Sequence, residues 1–248
     1  MNELKQILTE LKQNCGIIAL RTDMASEAIC DEEFVLLKNF CRDFHLQYTV
    51  KIGGCDALTD IFKAKNADAN CIIAPMIETK YALQKFIYNC RQVYDDLQQV
   101  NLLINIETAT AYRNIDSICE CEDMKYIKGI VLGRDDMAKS LSDGDVNSDK
   151  ISDIAFDIAQ KANKYGKTFT IGGGVRPKCI DFLKRFDGFD YINCETRRIV
   201  FPSVITNSEV LKKALQFEIK WLEYLNSNKL SDEKLTQNRI NILQNCLQ

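Results

Sequence analysis

The segment Leu102-Leu103-Ile104-Asn105-Ile106-Glu107 is a short apolar run that ends in a charged residue. The chain repeats this arrangement at a nearly constant interval. The charged residues that end or follow the successive runs are Asp23, Lys51, Glu78, Glu107 and Asp136, at steps of 28, 27, 29 and 29 residues. One strand, one helix and two loops occupy about this length. The spacing therefore predicts β/α units that build a parallel sheet.

The length of the chain indicates how such a sheet closes. With 248 residues, the chain has the usual size of one α/β domain with a (β/α)8 barrel of the TIM type. The candidate for the eighth strand, residues 198–201, follows the seventh without room for a helix. Either this segment closes the barrel irregularly, or another element fills the gap. We predict that the barrel comprises residues 1–204.

Residues 205–248 are predicted to form a C-terminal helical extension that packs on the barrel or on a neighbouring subunit. Its first helix carries an apolar face that a complete barrel does not require. The face consists of Leu215, Ile219, Trp221 and Leu222. This surplus favours a homo-oligomer. The alternative is that the helix is the last one of the barrel and packs on its own chain.

The composition limits the kinds of partner. Basic and acidic residues nearly balance, with 32 against 35, and the basic residues form no stripe or cluster. We therefore expect no nucleic acid and no membrane as a partner. No apolar run approaches the roughly 18 residues of a membrane helix, and the first residues lack the apolar stretch of a signal peptide. The protein is expected to be cytoplasmic.

The 11 cysteines include no Cys-x-x-Cys pair, and we interpret them as reduced thiols. Cys71 and Cys194 fall within strand-like runs and are predicted to be core residues. The single histidine, His45, precedes a strand, so we expect it at the bottom face of the barrel. A cysteine–histidine nucleophile and a zinc site are therefore disfavoured.

Two carboxylates form the strongest candidate site. Glu107 and Asp136 follow neighbouring strands, and a closed parallel sheet brings all strand ends to one face. Such a pair suits a hard divalent cation, Mg²⁺ or Mn²⁺. The alternative is that each residue caps the following helix, although Thr108 is itself a natural cap and leaves Glu107 free. Asp135 is an alternative ligand to Asp136.

The Glu-Thr pattern of Glu107-Thr108 recurs at Glu78-Thr79 and Glu195-Thr196. This recurrence is equally compatible with two interpretations. The residues have a functional role at the strand ends, or they cap the helices that follow.

A second group of residues is suited to bind an anionic small-molecule substrate. The run Gly172-Gly173-Gly174 offers unhindered backbone N–H groups at a strand end, although close backbone packing also requires glycine. Lys51, Arg21 and Arg197 are predicted to bind anionic groups. Lys51 is also able to form a Schiff base, but no neighbouring residue argues for its desolvation, so an electrostatic role is favoured.

Four segments of the chain resemble the HpcH/HpaI aldolase and citrate lyase family, whose members are β/α barrels of the pyruvate- and phosphoenolpyruvate-binding superfamily. The resemblance covers roughly residues 16–201. The segments are Thr49-Val50-Lys51-Ile52-Gly53-Gly54-Cys55-Asp56, Ala74-Pro75-Met76, Asn105-Ile106-Glu107-Thr108-Ala109-Thr110-Ala111 and Gly133-Arg134-Asp135-Asp136-Met137. The chain looks closest to a branch with the Val-Lys-Ile-Gly-Gly motif.

The resemblance implies roles for particular residues. The metal ligands of the family fall on Glu107 and Asp136, and its substrate-binding arginine falls on Lys51. The histidine that moves a proton in the family has no counterpart in residues 20–27, where Asp23 and Glu27 are available instead. The first barrel strand of the family has no match in this chain.

The predicted function is a metal-dependent carbon–carbon lyase or aldolase acting on a 2-oxo acid. The resemblance implies a pyruvate-type enolate whose charge the metal stabilises. A water molecule at the metal, Asp23 or Glu27 would then move the proton. One alternative is a lyase that uses the same site for phosphoenolpyruvate or an acyl-CoA thioester. The other is a non-catalytic barrel that binds a small anion.

Overall fold

The computed structural model describes residues 1–27 and 29–247, and within them eight strands close into one barrel in chain order. The strands are β1 Ala19–Asp23, β2 Gln47–Lys51, β3 Cys71–Ala74, β4 Asn101–Ile106, β5 Ile127–Gly133, β6 Thr168–Gly172, β7 Ile192–Glu195 and β8 Ile199–Phe201. The helices are α1 Asn2–Cys15, α2 Asp31–Asp43, α3 Leu58–Asn66, α4 Lys80–Val93, α5 Ala109–Arg113, α6 Ile115–Cys119, α7 Arg134–Ser140, α8 Asp149–Lys164, α9 Ile180–Lys184, α10 Ser208–Ser227 and α11 Glu233–Leu247. None of the helices described here is long and apolar enough to cross a bilayer.

The closure of the barrel is irregular. Strands β1 to β6 each pair in parallel with the next, whereas β8 runs antiparallel to both β7 and β1. An antiparallel pair needs only a hairpin, so no helix is required between β7 and β8. The predicted barrel is confirmed, and residues 199–201 supply its last strand. The hairpin brings Arg197 and Arg198 to the face where the parallel strands end.

The period of two along each strand separates two environments. Outward side chains such as Ile104 and Ile106 join the main core between the strands and the helices. Inside the barrel, a small separate apolar cluster contains Cys71, Ile73 and Val131. Nearer the C-terminal ends of the strands, the inward positions of β1, β2, β4 and β7 carry Arg21, Lys51, Asn105 and Glu195, whereas those of β5 and β6 carry glycine. The barrel interior is therefore apolar in the middle and ionic at its top.

Helix α10 packs on its own chain. It lies against α1 and α11, and the ring of Trp221 meets that of Phe40 edge-on at a centroid distance of 5.3 Å. Leu215, Ile219 and Leu222 are also buried. The apolar face of α10 is therefore covered by the barrel and is not free to hold another subunit. Gln248, the last residue of the predicted extension, lies outside the described residues.

The segments after β4 and β5 form short helices. Asn114 divides the segment after β4 into α5 and α6, and it donates from Nδ2 to the carbonyl oxygen of Glu78 at 2.8 Å. Helix α7 follows β5 directly. It places Asp135 and Asp136 in its first turn.

Candidate functional site

The C-terminal ends of the strands open into a cavity of about 420 Å³. Ten residues that the sequence suggested for the site line this cavity, whereas Glu78 does not and instead accepts a hydrogen bond from Oγ1 of Thr108. The ten residues are Arg21, Asp23, Glu27, Lys51, Glu107, Asp136, Gly172, Gly173, Gly174 and Arg197. The strand ends bring them together because seven strands are parallel. Their individual roles stay predictions.

Glu107 lies at the centre of the ionic layer. It follows β4, and its side chain is almost completely buried. Oε1 accepts a hydrogen bond from the backbone N–H of Met76 at 3.0 Å. Oε2 accepts from Nδ2 of Asn105 at 2.8 Å and lies 3.4 Å from Nζ of Lys51. The carboxylate is therefore held in one orientation by three groups.

Glycine makes room for the buried carboxylates. A Cβ atom at Gly133 would stand 2.4 Å from Oε2 of Glu107, a distance that real structures do not tolerate. A Cβ atom at Gly172 would stand 3.1 Å from Oε1 of Glu195. Both glycines occupy inward positions at the ends of neighbouring strands, where they pair with each other. The close approach, rather than a turn, requires glycine at 133, and a side chain at 172 would press on the carboxylate of Glu195.

A network of opposite charges surrounds Glu107. Nζ of Lys51 lies 3.8 Å from Oδ2 of Asp23, which is also 3.8 Å from Nη2 of Arg21. Nε of Arg21 lies 3.4 Å from Oε1 of Glu195. Two cations thus face the carboxylates of Asp23, Glu107 and Glu195. This inner layer carries one surplus negative charge.

The pKa values of Asp23 and Glu195, the two carboxylates that flank Arg21, are shifted in opposite directions. Burial opposes ionisation of Asp23, but Arg21 and Lys51 outweigh it and lower the pKa of this residue below its ordinary value. Burial dominates at Glu195 and raises its pKa, although Arg21 and Lys51 act against the shift. Asp23 is therefore firmly ionised at neutral pH, whereas Glu195 takes up a proton more readily than an ordinary glutamate.

The two candidate aspartates of α7 have different surroundings. Asp136 is exposed and its Oδ1 lies 3.4 Å from Nζ of Lys139 in the same helix. Asp135 is partly buried, and its Oδ2 accepts a hydrogen bond from the backbone N–H of Gly174 at 2.9 Å. Both residues line the cavity. Neither provides a side-chain cap for α7, so the capping alternative for Asp136 is not what the structure shows.

The glycine run is partly occupied by protein groups. Gly173 and Gly174 both have positive φ angles, and the N–H of Gly174 already binds Asp135. The buried Arg134 donates from Nε to the carbonyl oxygen of Gly172 at 3.2 Å and from Nη1 to Oδ1 of Asn147 at 2.9 Å. These bonds fix the loop, and they leave less of it to receive a substrate anion than the sequence suggested.

Glu27 belongs to a second ionic cluster above the first. Its Oε2 lies 3.0 Å from Nη2 of Arg198, and its Oε1 lies 2.8 Å from Nη1 of Arg239 on α11. Arg239 also binds the buried Glu218 on α10. The cluster joins the loop after β1 to the C-terminal helices. Glu27 is therefore already paired with two arginines.

The remaining Glu-Thr pairs have different outcomes. Thr79 and Thr108 cap α4 and α5, with Oγ1 accepting from the N–H of Ala82 and Ala111, each at 3.1 Å. Glu195-Thr196 precedes a strand, so it has no helix to cap. Of the two interpretations given for Glu195, capping therefore does not apply, and its carboxylate lies in the ionic layer beside Arg21.

Several other residues of the site do not follow from any local pattern in the sequence. Arg198, Glu218 and Arg239 make their contacts with residues that are distant in the chain. Asn105 is different, because it lies two positions before Glu107 in the same strand, and this period of two indicates that it faces inward as well.

The fold and the site define a class of protein: a barrel in which carboxylates and cations converge where the parallel strands end. A model of the HpcH/HpaI aldolase/citrate lyase family matches residues 33–170, more than half of the chain, and the chain belongs to this family.

Solved structures of this family have the same fold. An HpcH/HpaI aldolase from Desulfitobacterium hafniense DCB-2 is 12% identical, with a TM-score of 0.63 over 79% of this chain and 83% of that one. A family protein from Burkholderia cenocepacia J2315 is 15% identical, with a TM-score of 0.61 over 78% and 83%. A CitE protein from Mycobacterium tuberculosis, in complex with magnesium and acetoacetate, is 16% identical, with a TM-score of 0.50 over 77% and 78%. Among curated proteins, none matches this chain in sequence.

The oxygen atoms of the cavity fit a hard divalent cation in chemical type. Glu107 and Asp136 supply carboxylates, and the buried Oδ1 of Asn105 has no hydrogen-bond partner in the described part of the chain. Within residues 1–27 and 29–247, no group of three or more His, Cys, Asp or Glu residues is arranged to hold a metal ion. Two protein carboxylates would leave the other positions of a bound Mg²⁺ to water and substrate.

Proposed function

We propose that this chain is a metal-dependent carbon–carbon lyase or aldolase that acts on a 2-oxo acid. The observation that carries the proposal is the inner ionic layer, in which Glu107 and Lys51 lie 3.4 Å apart at the top of a barrel of this family. The surplus negative charge of this layer supports a bound cation, since a cation would offset it. Membership of the family supports lyase or aldolase chemistry.

Glu107 and Asp136 are the residues that would hold Mg²⁺ or Mn²⁺. When bound, the ion supplies Lewis-acid stabilisation of the negative charge that develops on an enolate, which is worth several kcal/mol. Magnesium in the complex of the CitE protein from Mycobacterium tuberculosis supports this choice of ion. Asp135 is the alternative ligand, although its bond to Gly174 favours Asp136 for the metal.

Lys51 and Arg21 are proposed to bind the carboxylate of the 2-oxo acid. Both cations are held at the floor of the cavity by carboxylates on either side, so their positions cost little to organise when a substrate arrives. Arg197 lies at the hairpin tip with its side chain partly exposed, and its Nη1 lies 3.2 Å from Oγ of Ser26. It is proposed to meet the substrate nearer the mouth, with the Gly172-Gly173-Gly174 backbone beside it.

Proton transfer is proposed for Glu195, with Asp23 as the alternative, rather than for Glu27. Glu27 is paired with two arginines, whereas Asp23 and Glu195 both line the cavity beside Arg21. Efficient proton transfer favours a group whose pKa is near the working pH. The raised pKa of Glu195 makes it the better acid and base, and the ionised Asp23 then serves mainly to hold Lys51 and Arg21.

The exchange of pyruvate methyl protons with D₂O tests this function without requiring knowledge of the acceptor. Enolate formation replaces hydrogen by deuterium, and NMR follows the loss of the methyl signal. We expect exchange with Mg²⁺ or Mn²⁺ and none in EDTA. Release of pyruvate from a 4-hydroxy-2-oxo acid then tests the carbon–carbon bond step. Pyruvate binding without exchange would favour the non-catalytic anion-binding barrel, and exchange in EDTA would contradict the metal.

The cellular setting and the assembly state are also part of the proposal. All 11 cysteines are free thiols, which supports a reducing compartment such as the cytoplasm. A homo-oligomer stays a proposal, and any contact between subunits must use a surface other than the covered face of α10.

A further inference from the structure

The cavity changes character from its floor to its mouth. The strands supply the charged floor, whereas α10 and α11 supply an apolar wall above it. The wall is formed by Leu222, Leu225, Leu235, Ile242 and Leu243, and Val175 also lines the cavity. Leu235 and Ile242 are 59% and 61% exposed although both are large apolar residues. They are seven residues apart and therefore share one face of α11.

The charges near the wall do not call for a second anion. Arg197, Arg198 and Arg239 lie there together with Glu27, Glu33 and Glu218, and these six formal charges cancel. The further cation Arg176 lies near the carboxylate of Asp135, which offsets it. Arg198 and Arg239 are engaged by these carboxylates at close range. Arg176 at the rim contacts the thiol of Cys246. A neutral, apolar group is therefore the better occupant of this part of the cavity.

The size of the cavity leads to the same conclusion. A volume of about 420 Å³ is in the range of sites that enclose drug-sized ligands, far more than a three-carbon acid needs. If pyruvate alone occupied the floor, the apolar wall would face water. A substrate with an apolar extension would cover the wall and gain from its burial.

We infer that the substrate of this chain is a 2-oxo acid whose far end is an apolar alkyl or aryl group, seated against the wall of α10 and α11. The inference rests on the proposed function for the position of the acid group on the floor. The apolar seat is a property of α10 and α11, and it determines which substrates fit the cavity.

A series of 2-oxo acids that lack the 4-hydroxyl group, and therefore cannot be cleaved, tests binding at this apolar wall. Calorimetry with Mn²⁺ present compares pyruvate, 2-oxohexanoate, 2-oxooctanoate and 2-oxooctanedioate. A fully buried methylene strengthens binding about fourfold, so 2-oxooctanoate should bind at least tenfold more tightly than pyruvate. The dicarboxylate of equal length should gain less, because its far end is charged. Equal affinities along the alkyl series, or tighter binding of the dicarboxylate, would overturn the inference.

Variants then locate the effect. The double variant Leu235→Ser, Ile242→Ser should reduce the affinity ratio of 2-oxooctanoate to pyruvate at least fivefold. The matched control is Val35→Ser, Leu58→Ser, which removes exposed apolar side chains away from the cavity and should keep the ratio. Suppose instead that the Leu235→Ser, Ile242→Ser variant changes the molecular mass in light scattering and keeps the affinity ratio. This face of α11 would then be a contact between copies of the chain, and the inference would be overturned.

The pyruvate exchange assay separates this inference from the proposed function. If the chain exchanges pyruvate protons but binds all the alkyl acids equally well, the apolar binding site is rejected and the proposed function stands. If affinity rises along the alkyl series but the chain exchanges no pyruvate protons, the apolar binding site stands and the lyase function is rejected. A chain that binds none of these acids would lose both.

Discussion

Gly133 and Glu107 lie so close together that the glycine leaves no space for a side chain of its own. A Cβ atom at position 133 would stand 2.4 Å from Oε2 and 2.8 Å from Cβ of Glu107. The two residues come from the ends of the adjacent strands β4 and β5. Glycine at 133 therefore determines where the buried carboxylate sits, and through it where Lys51 and Asn105 make their contacts.

Gly133→Ala should displace the Glu107 carboxylate and reduce turnover at least tenfold. A shift of about 1 Å in a catalytic group is enough to cost this much or more. Steady-state kinetics of 2-oxo acid cleavage measures the effect. Gly144→Ala is the matched control, because a Cβ atom there meets nothing within 4 Å. Equal activity of the two variants would show that the position of Glu107 is not critical.

Removal of the metal ligands should abolish the reaction. Glu107→Gln and Asp136→Ala are each expected to reduce turnover about a thousandfold, since the Lewis acid supplies several kcal/mol and each 1.36 kcal/mol is about tenfold. Gln is used at 107 because it keeps an acceptor for the N–H of Met76. EDTA should have the same effect on the parent protein.

Binding of Mn²⁺, followed by its EPR signal, separates a metal defect from other defects. Asp153→Ala on the exposed side of α8 serves as the control and should bind the ion normally. If Asp135→Ala removes Mn²⁺ binding and Asp136→Ala does not, the ligand assignment moves by one residue. Full turnover in EDTA would reject the metal altogether.

Much of this site could be expected from the sequence because strand ends and inward positions follow simple periods. The interval of about 28 residues identified Asp23, Lys51 and Glu107, and the barrel brought them together. The eighth strand was foreseen as a segment but not in its direction, since local sequence does not state whether a strand returns by a hairpin.

The contacts of the C-terminal helices depend on information that no local pattern contains. The face of α10 around Trp221 had the appearance of a subunit contact, yet Nε1 of Trp221 donates to Oε1 of Glu33 at 2.9 Å within the same chain. Arg239 reaches Glu27 across more than two hundred residues of sequence. Such pairs are determined by how two helices cross, so their partners could not be predicted from spacing.

Lys51→Met should raise the KM for an anionic 2-oxo acid at least tenfold. The variant also leaves the buried carboxylates of Asp23 and Glu107 without their shared cation, so its thermal midpoint should fall. Lys51→Arg is the control that keeps the charge, and it should recover most of both properties. If Lys51→Met lowers the thermal midpoint but the folded fraction keeps its KM, then Lys51 has only a structural role.

The pH dependence of turnover should distinguish Glu195 from Asp23 as the proton acceptor. Glu195 works as a base only when ionised, so turnover should fall as the pH drops through its raised pKa, above the ordinary value of 4.5. If Asp23 were the proton acceptor, turnover would fall only at a pH below 3.8, the ordinary pKa of an aspartate, because the pKa of Asp23 is lowered. Glu195→Gln should cost about a hundredfold or more and remove the higher limb. A limb that stays in place in Glu195→Gln would exclude this role.

Glu218 should stabilise the fold near neutral pH and lose this effect in acid. Burial opposes its ionisation, but Arg239, Arg198 and Arg197 together lower its pKa below the ordinary value. A carboxyl group with a depressed pKa in the folded state contributes stability above its unfolded pKa, and this contribution disappears as the pH falls through the folded pKa. Glu218→Gln removes one of the two carboxylates that pair with Arg239 and should cost about 3 kcal/mol at pH 7.

Urea unfolding followed by the fluorescence of Trp221, the single tryptophan, measures this cost at several pH values. The difference between the parent and Glu218→Gln should be largest near pH 7 and should shrink below about pH 4, where the unfolded carboxyl also becomes protonated. Glu223→Gln on the same helix is the control. Its partner Lys220 is partly exposed, so the loss should be no more than about 1 kcal/mol. A difference for Glu218→Gln that is as large at pH 3.5 as at pH 7 would show that packing, not charge, holds α11 to the barrel.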